Sequence, residues 1–163
     1  VGSVRCILET ALINLKPTHD YFLGLALEQA KKAEINGEVP VGAVLIDDDQ
    51  VIAEASNASI ILNDPTAHAE IITLREAAEK KGNYRLGGTL FVTLEPCIMC
   101  MGALIHARVK KLIFGAYDPR SGAALSVYNF SDSPHLNHRI EVKGGILERE
   151  SQLLLKDFFK ARR

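Results

Sequence analysis

The sequence predicts an α/β fold, a three-layer α/β/α sandwich in which helices cover both faces of a mixed central sheet. Two observations predict it. Apolar segments at 41–46 and 51–55 flank the polar stretch D-D-D-Q, which is typical of a β-hairpin. Strand-like segments at 89–94 and 111–116 instead alternate with helical segments, which is typical of parallel strands.

The helices are predicted from capping residues and breakers. Thr18 is a suitable N-cap for a first helix that reaches Ile35 and is ended by Gly37. A second helix is predicted over 66–80, where Gly82 stops it. These boundaries follow from local chemistry alone.

The C-terminal half continues the alternation. Pro96 suits the first turn of a third helix, because its missing N–H would be unpaired there anyway. Residues 140–147 predict a short strand after a long loop. A last helix over 148–161 is expected to turn four apolar side chains toward the core: Leu153, Leu154, Phe158 and Phe159.

Length and composition indicate one globular domain. The 163 residues suffice for a buried core, and we assign the domain to residues 17–163, with 1–16 as an N-terminal extension of unknown role. A net charge of −1 means that a nucleic-acid partner would need a local basic surface. No apolar run approaches the roughly 18 residues of a membrane span, so no membrane partner is expected.

Cysteine usage favours a reducing compartment. Three cysteines, two of them one helical turn apart, make a poor disulfide framework. We therefore expect a cytoplasmic protein, with an organellar location left open.

Two of the cysteines lie in the stretch P-C-I-M-C. Cys97 and Cys100 are three positions apart at a predicted helix start, where the helix dipole lowers the pKa of a thiol. Taken alone, this pair could hold a metal, exchange electrons as a dithiol, or pack in the core.

A second motif, T-A-H-A-E, favours metal binding over the other two roles of the cysteine pair. If its helix begins at the same end of the sheet, His68 joins the two thiols and gives zinc one nitrogen and two sulfurs. Three protein ligands leave a position for water, as in catalytic zinc sites, and Glu70 is placed to act as base and acid. Cys6 as a fourth ligand would instead make the site structural.

The order H-x-E then P-C-x-x-C is the established signature of zinc-dependent nucleobase deaminases, so the chain matches a known pattern. With D-P-T-A-H-A-E, V-T-L-E-P-C-I-M-C-M-G-A, F-G-A-Y-D-P-R-S-G-A-A and D-F-F-K-A-R-R, residues 19–163 resemble the cytidine-deaminase superfamily. The motifs from Phe114 onward resemble its bacterial tRNA-editing adenosine deaminases more specifically.

The resemblance implies a cytidine-deaminase-like fold and specific site residues. His68, Cys97 and Cys100 would hold one Zn²⁺ per subunit, and Glu70 would be the proton shuttle. The substrate-binding positions implied are Asn57 beside the flipped nucleoside, the Ala69 backbone near the purine, Pro40 in the pocket wall and Asp118 near the RNA. Ordinary turn chemistry is the alternative for Asn57 and Asp118.

The resemblance also implies the reaction: hydrolytic deamination of the wobble adenosine to inosine in a tRNA anticodon loop, by a homodimer. Lys156, Lys160, Arg162 and Arg163 would supply basic surface, or else form only a solvated helix face. The chain departs from the family pattern at Leu125 and in residues 129–135. These differences bear on the detailed contacts with the anticodon loop and not on the zinc chemistry. The rival is a deaminase of a free base or nucleoside, of guanine or cytosine type, that uses the same zinc site.

Overall fold

The structure, a computed structural model, describes residues 17–163; the predicted extension 1–16, including Cys6, lies outside the described residues. The strands are β1 (Gly42–Asp47), β2 (Gln50–Ser56), β3 (Thr89–Leu94), β4 (Lys111–Ala116) and β5 (Glu141–Lys143). They form a sheet with the order β2-β1-β3-β4-β5. Strand β1 pairs antiparallel with β2 and β3, whereas β3–β4 and β4–β5 are parallel. The mixed sheet and its hairpin are thus confirmed.

Helices lie on both faces of this sheet, which confirms the three-layer arrangement. They are α1 (His19–Ile35), α2 (Ala69–Lys81), α3 (Ile98–His106) and α4 (Glu148–Lys160). Helices α2 and α3 contact each other, and α1 contacts α4. None of the helices within residues 17–163 is long and apolar enough to cross a membrane.

Strand β3 shows how the two core layers arise. Because successive side chains of a strand point to opposite faces, Leu90 and Val92 join the core beneath α2 and α3. Phe91 faces the other way and packs against Phe22 and Leu23 of α1. Apolar residues on both faces therefore bury the central strand completely.

The structure confirms two of the predicted helix boundaries. The Thr18 hydroxyl accepts a hydrogen bond from the Tyr21 N–H at 3.2 Å and caps α1. Gly82 ends α2 in the left-handed region with φ of 63°, which glycine adopts without steric penalty.

Two predicted helix starts are wrong, because both helices begin later than the sequence predicts. The Asp64 carboxylate accepts hydrogen bonds from the N–H and the hydroxyl of Thr66, at 2.8 and 2.7 Å. This Asx turn delays α2 to Ala69. Helix α3 begins at Ile98, so Pro96 precedes the helix and is not in its first turn.

The prediction of which side chains of the last helix face the core is only partly right. Phe158 is buried and Leu154 half-buried, but Leu153 and Phe159 are exposed. The buried face instead includes Ser151, which packs on Gly115 of β4, where a side chain would overlap the serine hydroxyl. This small-residue contact sets the rotation of α4 and turns Phe159 outward.

Candidate metal centre and active site

The predicted ligands meet at one edge of the sheet. Strand pairing places Ser56, the end of β2, opposite Gly42, while Leu94 at the end of β3 pairs with Ala116 at the end of β4. Strands β2, β3 and β4 therefore all end at this edge. The segment after β2 leads into α2, and the segment after β3 leads into α3.

Each ligand residue stands at a helix start. His68 is the N-cap residue of α2 and Cys97 that of α3, while Cys100 lies in the first turn of α3. The His68 Nδ1 atom is 3.6 Å from Cys97 Sγ and 3.5 Å from Cys100 Sγ. All three ligand atoms lie within 4.8 Å of one another.

These distances fit zinc. Tetrahedral bonds of about 2.0 Å to nitrogen and about 2.3 Å to sulfur separate the two ligand atoms by about 3.5 Å. The observed separations match this value without rearrangement. Within residues 17–163 no fourth His, Cys, Asp or Glu joins the group, which leaves room for a water or substrate ligand.

Of the three ligand side chains, only the Cys97 thiol already has a pKa that favours the form a cation binds. A hydrogen bond from the Cys100 side chain, with a further one from His68, lowers the pKa of Cys97 to about 4. The same contact with Cys97, together with burial, raises the pKa of Cys100. The hydrogen bond with Cys97 raises the pKa of His68. Metal binding requires both thiolates and a neutral imidazole, so it would release protons.

Glu70 lies in the first turn of α2 with only 4% of its surface exposed. Burial raises the pKa of its carboxyl to about 7, and the nearby His68 opposes this shift. A carboxyl that changes protonation near neutral pH can both accept and donate a proton, as an acid–base shuttle must.

Asn57 is tied to the backbone of the site. Its Oδ1 accepts a hydrogen bond from the Ala69 N–H at 2.8 Å, and its own N–H donates to the Val41 carbonyl at 3.1 Å. The side-chain amide N–H₂ of Asn57 has no partner among the hydrogen bonds within residues 17–163. The Oδ1 of Asn57 and the Ala69 N–H already pair with each other. We therefore expect the N–H₂ group of Asn57 to make the substrate contact predicted for this residue.

The other two predicted substrate residues flank this edge. Pro40 is buried just before β1, and its place in the pocket wall stays a prediction. The Asp118 carboxylate accepts from the N–H groups of Arg120 and Ser121, at 3.0 and 3.2 Å, and from the Ser121 hydroxyl at 2.7 Å. Asp118 thus shapes its own turn, and its predicted RNA contact would use the remaining acceptor capacity.

Comparison with known proteins agrees with this geometry. The family model of the cytidine and deoxycytidylate deaminase zinc-binding region matches residues 16–116. The chain belongs to this deaminase family. The metal of its site is zinc.

Individual relatives of this deaminase are similar over most of the chain. The tRNA-specific adenosine deaminase of Haemophilus influenzae is 54% identical over 140 residues, covering 85% of this chain and 81% of the relative. A solved tRNA:A34 deaminase that edits A to I at the wobble position shares 47% identity with a TM-score of 0.80, covering 82% of this chain and 98% of that one. The guanine deaminase of Bacillus subtilis shares 34% identity with a TM-score of 0.62, covering 77% and 83%.

The deaminase also has a large open groove of about 980 Å³ that the sequence did not reveal. It lies between the segment after β4 and helix α4, with Val39 and Leu94 also lining it. Five cationic side chains and one carboxylate line it, beside the aromatic rings of Tyr117 and Phe159. The charged lining residues are Asp118, Arg120, Lys156, Lys160, Arg162 and Arg163.

Two buried acids of the deaminase were also missed. Glu38 is 2% exposed and accepts from the N–H groups of Ile60 and Ile61, at 2.7 and 3.0 Å. Glu95 is equally buried and binds the segment around Ser126. An acidic residue beside proline in an apolar stretch, as in V-T-L-E-P-C, is the only sequence signal for such an anchor.

Proposed function

We propose that this deaminase hydrolyses the wobble adenosine of a tRNA anticodon loop to inosine, releasing ammonia. The observation that carries the proposal is a cationic, aromatic-lined groove at the same sheet edge as the three metal-ligand side chains. Relatives named as tRNA-specific adenosine deaminases, such as the one from Haemophilus influenzae, support it.

In this proposal His68, Cys97 and Cys100 hold the zinc. Zinc bound there supplies Lewis acidity, which makes water acidic enough to act as a nucleophile near neutral pH. Glu70 accepts a proton from the attacking water and delivers it to the purine ring nitrogen as the C6–O bond forms. The second proton of the water then passes through the same carboxylate to the C6 amino group, so that the C6–N bond breaks and ammonia leaves. Because Glu70 is buried at the start of α2, its carboxyl would stay close to the attacking water and to the purine ring nitrogen.

The target base is held by the residues around the metal ligands. Asn57 presents its free amide N–H₂ beside α2, where it would donate to the flipped nucleoside. Pro40 and the Ala69 backbone form the adjoining wall. An anticodon loop suits this pocket because its bases leave their stack at low cost.

The groove explains how a chain of net charge −1 would bind RNA. Lys156 and Lys160 on α4 and Arg120 after β4 would contact phosphates, which position the RNA without reading its sequence. Tyr117 and Phe159 offer rings on which unpaired bases stack. A free base would fill only the metal pocket and gain nothing from these groups.

The second candidate is a free-base deaminase. The 34% identity to the guanine deaminase of Bacillus subtilis favours it, because both chains would use the same metal chemistry. The identity to tRNA-specific relatives is higher, at 38 to 54% for those of Streptococcus pyogenes and Haemophilus influenzae. The groove has no role in a free-base reaction.

We also propose that the enzyme acts as a homodimer. A second, smaller groove of about 340 Å³ runs between α2 and α3, lined mainly by apolar side chains such as Leu74 and Tyr84. A second copy of the chain is the expected occupant, as the family resemblance implies. Light scattering should give twice the mass of the chain, and a monomer at micromolar concentration would contradict this.

The cytoplasmic location stays a prediction. Cys97 and Cys100 are free thiols in the structure, and zinc binding requires them reduced. Cell fractionation followed by immunodetection tests the assignment.

The function is tested with an anticodon stem-loop that carries a wobble adenosine. Inosine should form in the stem-loop, whereas free adenosine, cytidine and guanine should remain unchanged. Glu70→Ala should abolish the reaction and retain zinc. Turnover of a free base alone would instead place the enzyme with the metabolic deaminases.

The groove is tested by the salt dependence of the same reaction. Lys160→Ala should reduce the slope of log kcat/KM against log salt by about 0.7, the value of one phosphate contact on single-stranded RNA. Lys110→Ala is the matched control, since this exposed lysine precedes β4 at the opposite end of the sheet. Equal slopes for both variants would remove the groove from the RNA interface.

A further inference from the structure

Glu95 is a buried carboxylate that the proposed chemistry does not use. It is 2% exposed and lies two residues before Cys97. Its backbone N–H donates to the Ala116 carbonyl at 2.8 Å, which extends the pairing of β3 with β4 by one residue. The residue is therefore fixed to the sheet edge that carries both the metal ligands and the groove.

The carboxylate of Glu95 binds a turn that follows β4. Its Oε2 accepts from the N–H groups of Ser126 and Leu125, at 3.1 and 3.4 Å, and its Oε1 accepts from the Ser126 hydroxyl. Gly122 lies directly against the same carboxylate, where any side chain would overlap it. The turn is thus built around the two oxygens of Glu95.

A backbone bond continues this attachment toward the metal ligand. The Ala123 N–H donates to the Pro96 carbonyl at 2.8 Å. Residues 122–126 are therefore fastened to both residues that directly precede Cys97. They also continue from residues 118–121, which line the groove.

Hydrogen bonds alone compensate the burial of this acid. Among the residues that the structure describes, no lysine or arginine forms an ion pair with Glu95. A buried acid without a cation is costly unless donors surround it, so the turn and the acid fix each other's position.

We propose that Glu95 is a positioning residue that sets the distance between the metal centre and the RNA groove. Its carboxylate holds the 122–126 turn, and with it the groove wall at 118–121, against the segment that presents Cys97. RNA held in the groove then offers its target base at the right depth. The proposal rests on the proposed RNA-editing function.

Two substitutions of similar length separate this role from a general structural one. Glu95→Met removes both oxygens and orphans two N–H groups, so KM for the stem-loop should rise about tenfold, as the loss of a buried hydrogen bond allows. Zinc content should stay at the wild-type level. Glu95→Gln can keep all three bonds, because its amide oxygen accepts from the N–H groups and its N–H₂ donates to Ser126 Oγ. It should stay within about threefold of wild type.

Hydrogen exchange provides a readout that is independent of activity. Amides in 122–126 should exchange at least tenfold faster in Glu95→Met and at the wild-type rate in Glu95→Gln. If Glu95→Met does not fold, Ser126→Ala tests the positioning role instead. This substitution removes only the hydrogen bond from the Ser126 hydroxyl to Glu95, and Ser126 is exposed. It should raise KM about threefold, with kcat unchanged and faster exchange of the same amides.

The outcomes are distinct for the two proposals. A wild-type enzyme that forms no inosine in the stem-loop refutes the RNA-editing function, whatever the exchange data show. With an active wild type, an unchanged KM in Glu95→Met overturns the positioning role, and so does loss of zinc from that variant. Equal impairment of Glu95→Gln and Glu95→Met also overturns it, since charge would then matter instead of hydrogen-bond geometry.

Discussion

Glu70→Gln should stabilise the zinc-free protein while it abolishes catalysis. The Glu70 carboxyl is 4% exposed, and burial raises its pKa from 4.5 to about 7. A shift of about 2.5 units corresponds to about 3 kcal/mol between the protonated and ionised forms. Glutamine has nearly the same shape and never ionises, so it avoids this cost.

The sign of the pH dependence follows from proton binding. Between pH 4.5 and 7 the folded protein holds the Glu70 proton more tightly than the unfolded chain does. The free energy of unfolding of the wild type therefore falls as pH rises through this window. The advantage of Glu70→Gln should be near zero at pH 4.5 and reach about 3 kcal/mol at pH 8.

Urea unfolding at pH 5 and pH 8, with a chelator and a reductant present, measures this difference. Glu79→Gln is the matched control, because Glu79 lies on the same helix and is exposed. It should change the unfolding free energy equally at both pH values. A Glu70→Gln advantage that stays below about 0.5 kcal/mol at pH 8 would refute the reasoning from burial.

Two further perturbations test the metal centre and the packing of α4. Cys100→Ala removes one of three ligand atoms and should leave the purified protein without stoichiometric zinc, as measured by mass spectrometry of the metal; full zinc content would contradict the ligand set. Gly115→Ala places a methyl group 2.7 Å from the Thr93 carbonyl and against Ser151, so it should lower the unfolding free energy by about 1–3 kcal/mol. Gly24→Ala, which meets no atom within 4 Å, should not lower it, and equal effects would contradict the packing argument.

The metal ligands could be predicted from the sequence because the information is local. Two short motifs each place their ligands at a helix start, and the alternation of strands and helices brings both starts to one sheet edge. The exact helix starts were missed, since the Asx turn at Asp64 delays α2. That error left the ligands unaffected, because His68 lies within one turn of the helix start in either case.

The groove could not be predicted, because segments distant in sequence build it. Val39, Leu94, the residues after β4 and helix α4 become neighbours only through the strand order β1-β3-β4 and the packing of Ser151 on Gly115. The helical periodicity of α4 predicted Phe159 in the core, yet that contact turns it toward the groove.

Local charge, not net charge, decides whether this protein can bind RNA. Salt screens exposed charges beyond about 8 Å, so a polyanion in the groove senses mainly the five cations and one carboxylate that line it. The remaining acidic residues, which bring the net charge to −1, act largely outside that range. Leu94, which lines the groove, lies three residues before Cys97, so in the proposed function phosphate binding and base chemistry would share one sheet edge. Binding energy gained along the RNA can therefore orient a single base at the metal centre, whereas a free base would have to enter the same pocket without it.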